Sequence, residues 1–218
     1  MQNYLRKIFA LMFAAVGVST VSSILTMRFG LPVIAANPGL FYVVIFGALG
    51  LSIFTQIRAF SMRPSTIAAL LFLYSTMMGV VMTPLIVFSL AVNPMSIVMA
   101  FLIAATMFGC MAMFGYKTVK DLSFMGIFLF MGMIGLLLVG MASMIWPLGS
   151  GFATIVSAIG VLVFAGFTAY NMQFLRKTYE QVGNNQTLEN QLAVLGALHL
   201  YISFIAMFQY ILSLLNRR

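Results

Sequence analysis

The feature that most constrains this chain is a series of seven apolar blocks, each roughly 20 to 25 residues long, separated by short polar stretches. About 20 apolar residues carry an α-helix across ~30 Å of hydrocarbon, so each block can span a bilayer. A helix on a soluble domain has one apolar stripe and a charged back face, whereas these blocks are apolar on every side. Composition agrees: 63% of the 218 residues are hydrophobic and 6% charged, where a soluble domain has about a quarter charged. The expected fold is an all-α integral membrane protein, a single seven-span domain over residues 1–218.

The pattern places the spans at about 8–28, 39–57, 66–90, 95–116, 123–146, 152–175 and 191–215. Asn37-Pro38-Gly39, Arg63-Pro64, Asn93-Pro94 and Trp146-Pro147-Leu148-Gly149 are turn signals. Lys117 to Asp121 and Arg176 to Asn190 read as polar connectors. The first block follows Arg6 and Lys7, but it exceeds a signal-peptide core in length and lacks a small-residue cleavage site, so it reads as a retained span. Asn185-Gln186-Thr187 matches a glycosylation acceptor by chance, since it falls on the expected cytoplasmic side.

The net charge of +8 lies at the ends of the blocks. Arg6 and Lys7, Arg58 and Arg63, Lys117 and Lys120, and Arg176 and Lys177 fall on one side of an alternating topology. Arg28, Arg217 and Arg218 fall on the other. Cationic loops stay in the cytoplasm, so the expected orientation is N-terminus inside and C-terminus outside. Cations spread in this way anchor spans; no nucleic-acid surface is expected.

Helices associate in lipid through small residues. Ala15, Ser19 and Ser23 share a face of the first span, Ala105 and Gly109 a face of the fourth, and Gly126, Gly132, Gly135 and Gly140 line the fifth. Gly160 and Gly166 do the same in the sixth. Cys110, the single cysteine, reads as a small packing residue. Thr83-Pro84 inside the third span permits a kink.

The inventory for chemistry is short. Asp121, Glu180 and Glu189 are the only acids, and all lie in connectors or at span ends; His199 is the only histidine. No nucleophile–base pair, metal-ligand spacing or phosphate loop is present, so neither an enzyme, a metal site nor a cofactor is expected. What remains is a polar thread in the last two spans: Thr168 and Asn171 on one face, then Gly196, His199 and Ser203, with Gln209 further along. Polar groups at membrane depth face the bundle interior, as a pathway or as an interhelical hydrogen bond.

Four stretches resemble a known family. Gly79-Val80-Val81-Met82-Thr83-Pro84, Ala105-Thr106-Met107-Phe108-Gly109 with Lys117-Thr118-Val119-Lys120-Asp121-Leu122-Ser123, Gly160-Val161-Leu162-Val163-Phe164 with Ala169-Tyr170-Asn171, and Leu200-Tyr201-Ile202-Ser203-Phe204-Ile205 are similar to signatures of the transmembrane Bax inhibitor motif family, the Bax inhibitor-1-like proteins. The resemblance implies a bacterial inner-membrane location, six helices around a central seventh, and a pH-sensitive leak of calcium, or of protons, gated by two aspartates on the last two helices. Two carboxylates forced together titrate far apart, so such a pair senses pH. Here Asn171 and Ser203 stand at those positions. Neither titrates, and neither offsets the charge of a divalent ion, so the pH-gated calcium leak does not carry over residue by residue.

The candidate path residues are therefore Asn171, Ser203, His199 and Asp121, with Arg58 and Arg63 as a candidate basic latch on the cytoplasmic side. Besides the lipid bilayer, the expected partners are calcium or protons for a leak channel with altered gating. The alternative is a non-conducting regulator that binds another membrane protein, such as a quality-control protease, with an accessible segment from Met1 to Lys7 suited to docking. A transporter for a small cationic solute rests on the polar thread alone.

Overall fold

The computed structural model describes residues 1–146, 149–182 and 185–217. Among these, seven helices are long and apolar enough to cross a membrane: Gln2–Ile34, Pro38–Ser61, Pro64–Val92, Met95–Lys117, Ser123–Ser143, Ser150–Val182 and Gln186–Leu215. Each answers one expected span, and they are the first to seventh spans below.

The ends differ where polar residues are helical. The first span starts at Gln2, because Tyr4 and Ile8 extend its buried face towards the N-terminus. It continues past Arg28 through a wider π turn at Thr26–Gly30. The stretch from Arg176 to Asn190 is mostly helix rather than connector: the sixth helix runs to Val182 and the seventh starts at Gln186. Asn185 caps that start, its side-chain oxygen accepting the backbone N–H of Leu188 at 3.2 Å. Gly183, Asn184, the Pro147-Leu148 turn signal and Arg218 lie outside the described residues.

Proline marks the other breaks as expected. Pro38 and Pro64 open helices, where a missing N–H costs nothing. Pro84 does not interrupt its helix, which runs unbroken from Pro64 to Val92. The neighbouring Thr83 hydroxyl donates to the Gly79 carbonyl at 2.9 Å.

The chain divides into two compact units. One joins Met1–Val87 with Thr178–Tyr201. The other joins Phe88–Lys177 with the residues from Ile202 onward. In the first unit the first and third spans meet at Gly79, where a Cβ would run into the Ser19 carbonyl and the Ser22 side chain. Ala15, Ser19 and Ser23 are all buried on that face.

In the second unit the closest approach is Gly115 against the backbone of Ala169. Gly126 lies under the Tyr170 ring, Gly132 beside Val163, Gly160 under Tyr210 and Gly166 beside Leu129. Three expectations need correction here. The packed stripe of the fourth span is Ser96, Ala100, Ala104, Phe108, Ala112 and Gly115, not Ala105 and Gly109, and Cys110 is exposed rather than packed. Gly135 and Gly140 meet nothing. Small residues on adjacent faces look alike in sequence; the contact that selects a face is not local.

The seventh span is the most enclosed. Of its most apolar window 83% is buried, against 44% or less in every other span.

Candidate functional site

The second unit brings together Asn171 and Ser203, the polar pair singled out in the last two spans. The Asn171 amide Nδ2 donates to the Ser203 hydroxyl at 3.4 Å, from the sixth span to the seventh. Ser203 is 2% exposed. Aromatic rings fix the register around it: Phe204 stands edge-on to Phe101 and Phe108, each at 5.7 Å. Further along, Tyr210 stacks on Phe164 at 6.0 Å, fitting over Gly160. Thr168 does not join the pair, because its hydroxyl turns back to the Phe164 carbonyl at 2.9 Å. The contact is long for a hydrogen bond and uncharged; it can tie two helices but cannot titrate.

Asp121 is placed elsewhere. Its carboxylate meets Lys177 Nζ at 2.8 Å on an exposed surface, and also accepts the hydroxyl and backbone N–H of Ser123. The Lys177 hydrogen bond, followed by those from Ser123, lowers its pKa from 3.8 to about 2. Beside this ion pair, one turn of the sixth helix grips the fourth connector. Gln173 donates Nε2 to the Lys120 carbonyl at 2.7 Å and accepts the Leu122 N–H at 2.9 Å. Arg176 donates to the Tyr116 and Thr118 carbonyls at 2.5 and 3.3 Å.

His199 belongs to the first unit, where its Nε2 meets Gln56 Oε1 at 3.3 Å. Gln56 directs its amide N–H groups at Ser52, so its oxygen faces the ring and Nε2–H is the donor. Arg58 and Arg63, the latch candidates, are both exposed at the second connector. The residue that holds this connector is Gln191, 6% exposed, which donates Nε2 to the Met62 carbonyl at 2.6 Å and the Phe60 carbonyl at 3.4 Å. The segment from Met1 to Lys7 is the helical start of the first span, with Gln2, Asn3, Arg6 and Lys7 exposed and Tyr4 buried.

Sequence reasoning found Asn171 and Ser203 but missed Gln56, Gln173, Arg176 and Gln191. It also missed a seam of hydroxyls in the first unit. Ser22 donates to the Thr76 carbonyl at 2.8 Å, and Ser23 and Thr83 lie 3.2 Å apart; Ser75 and Tyr201 are fully buried beside them. Three serines within five residues, Ser19, Ser22 and Ser23, were the available signal. Among the described residues, no three His, Cys, Asp or Glu side chains gather as a metal site requires.

Comparison with known proteins agrees in extent with this architecture. A Caulobacter vibrioides protein is 34% identical over 204 residues, covering 94% of this chain and 80% of the relative. A Borreliella burgdorferi protein is 31% identical over 218 residues, covering 99% and 92%. The inner membrane protein YbhL of Escherichia coli is 36% identical over 150 residues, covering 68% and 62%. The family model described as inhibitor of apoptosis-promoting Bax1 matches residues 1–218, and the chain belongs to that Bax inhibitor family.

Proposed function

We propose that this chain is a channel-like membrane protein of the Bax inhibitor family in which a neutral tie replaces a titratable gate, so that divalent ions do not pass. The observation that supports this reading is the 3.4 Å hydrogen bond from Asn171 to Ser203 between the last two spans. Calcium is a hard cation that seeks several oxygen ligands, normally with carboxylates among them. A neutral amide and a hydroxyl leave most of its desolvation uncompensated. Any pH response of a residual monovalent flux rests with His199, the single histidine of the chain.

Calcium entry into dye-loaded liposomes at pH 6 and pH 8 tests this, comparing the native protein with Asn171→Asp/Ser203→Asp. A silent native protein and a conducting, pH-dependent double variant are expected. Substantial calcium flux through the native protein overturns the reading. If both are silent, the channel reading falls and a regulator that binds another membrane protein replaces it.

A further inference from the structure

The fourth connector is held by its backbone, which fixes what it shows to the outside. The carbonyls of Tyr116 and Thr118 accept from Arg176, and that of Lys120 accepts from Gln173. Gln173 also takes the N–H of Leu122, whose side chain is buried. Both clamping residues belong to the sixth span. The side chains of Lys117, Val119 and Lys120 are left outward: both lysines are exposed, and Val119 between them is 94% exposed.

Charge here is one-sided. Lys177 already holds Asp121, the acid of the connector, and Arg176 spends its donors on neutral carbonyls. Among the described residues, neither the Lys117 nor the Lys120 ammonium meets an acceptor. The neighbouring surface is apolar. Phe124 is 85% exposed, and Phe128 and Met131, also exposed, follow it at helical spacing along the fifth span. On a membrane span such a stripe faces acyl chains, and it brings them to Phe124, four residues from Lys120. An acidic soluble segment would answer the lysines alone. A phospholipid answers both halves, because lysine stems lie along apolar surface and carry their ammonium groups up to the phosphates. A zwitterionic headgroup returns a positive charge beside its phosphate. An anionic one does not, and lysines at the membrane surface are drawn to it.

We propose that the fourth connector is a binding site for an anionic phospholipid, in which Lys117 and Lys120 hold the phosphate while Val119 and Phe124 enter the acyl layer beneath it. The site lies wholly within the second unit and does not depend on the Asn171–Ser203 tie. Because Gln173 and Arg176 fix the backbone, the two cations are ordered before the lipid arrives, and little freedom is lost on binding.

Native mass spectrometry of the full chain in detergent tests the site, titrated with phosphatidylglycerol or with phosphatidylcholine. Phosphatidylglycerol is expected to be retained in preference. Its affinity is expected to fall about five-fold for each lysine removed, and so more than ten-fold in Lys117→Gln/Lys120→Gln. It is expected to stay close to native in Arg28→Gln/Arg217→Gln, which removes the same charge elsewhere. Equal retention of the two lipids, or an equal loss in both double variants, overturns the proposal. Displacement of the lipid by inorganic phosphate would mean that the lysines take a free anion, and would also overturn it. A second readout needs no variant. Phosphatidylglycerol with a photoreactive group on its headgroup is expected to label the native protein within residues 117–124. A label found only on other connectors overturns the site.

Discussion

Asn171 of the sixth span and Ser203 of the seventh are joined by a single uncharged hydrogen bond of 3.4 Å. Such bonds between spans contribute on average about 0.6 kcal/mol and at most about 1.7, because the unfolded chain in a membrane also finds partners. Asn171→Ala is therefore expected to lower Tm by about 1–3 °C in detergent. Asn171→Asp behaves differently. A carboxylate there is held against a hydroxyl with no cation given to it, so its charged form is disfavoured. That variant is expected to be less stable at pH 8 than at pH 5, while the native protein shows no such difference. A drop well above 5 °C for Asn171→Ala would mean that the pair is more than a tie.

The Asp121–Lys177 ion pair predicts an acid dependence of a different sign and range. The carboxyl titrates near 3.8 when unperturbed and near 2 when folded. A depressed folded value contributes stability that is fully present above the unfolded pKa and lost as pH falls towards the folded one. The native protein is thus expected to lose this contribution between about pH 4 and pH 2, and Asp121→Asn to lack it throughout. Both side chains are exposed, at 43% for Lys177 and 66% for Asp121, so the effect is small. The carboxyl carbon shift of Asp121, followed by NMR across that range, measures it directly.

Glycine positions separate packing contacts from incidental small residues. At Gly115 an added Cβ meets the Ala169 backbone, which cannot move as a side chain can. At Gly109, six residues earlier on the same helix, it meets nothing within 4 Å. Gly115→Ala is expected to cost about 1–3 kcal/mol through overpacking. Gly109→Ala is expected to be neutral or to stabilise by up to about 1 kcal/mol through helix propensity. Unfolding of the two variants under matched detergent conditions gives the comparison, and equal effects would contradict the packing described.

Much of the architecture was legible because membrane spans are dictated by length and apolarity alone. Seven blocks gave seven helices, and Pro38, Pro64 and Pro94 stand where helices change over. Asn171 and Ser203 were legible as polar residues at membrane depth in the last two spans, and a family resemblance singled out the same two positions. The choice of face was not legible: Ala112 is buried and Cys110 exposed, although they are two residues apart in the same apolar run. Nor were the groups that grip connectors. Gln173, Arg176 and Gln191 bond backbone carbonyls 53, 60 and 129 residues away in sequence, and such bonds leave no periodicity.

The grip on the fourth connector makes the last prediction. Gln173 is 2% exposed and closes both sides of the turn, accepting from Leu122 and donating to Lys120. Truncation to alanine removes two hydrogen bonds and leaves a carbonyl and an N–H in a partly dry site, at about 1–3 kcal/mol for each buried group left unsatisfied. Glutamate keeps the acceptor for Leu122 but loses the donor to Lys120, and places a negative charge against that carbonyl. Hydrogen exchange at the Leu122 amide is therefore expected to accelerate strongly in Gln173→Ala and much less in Gln173→Glu. Exchange at the Thr118 amide, which bonds the Phe114 carbonyl within the end of the fourth helix, is expected to change little in either. If Leu122 were equally protected in native protein and Gln173→Ala, the turn would be held by its own backbone, and Gln173 would be only a bystander to it.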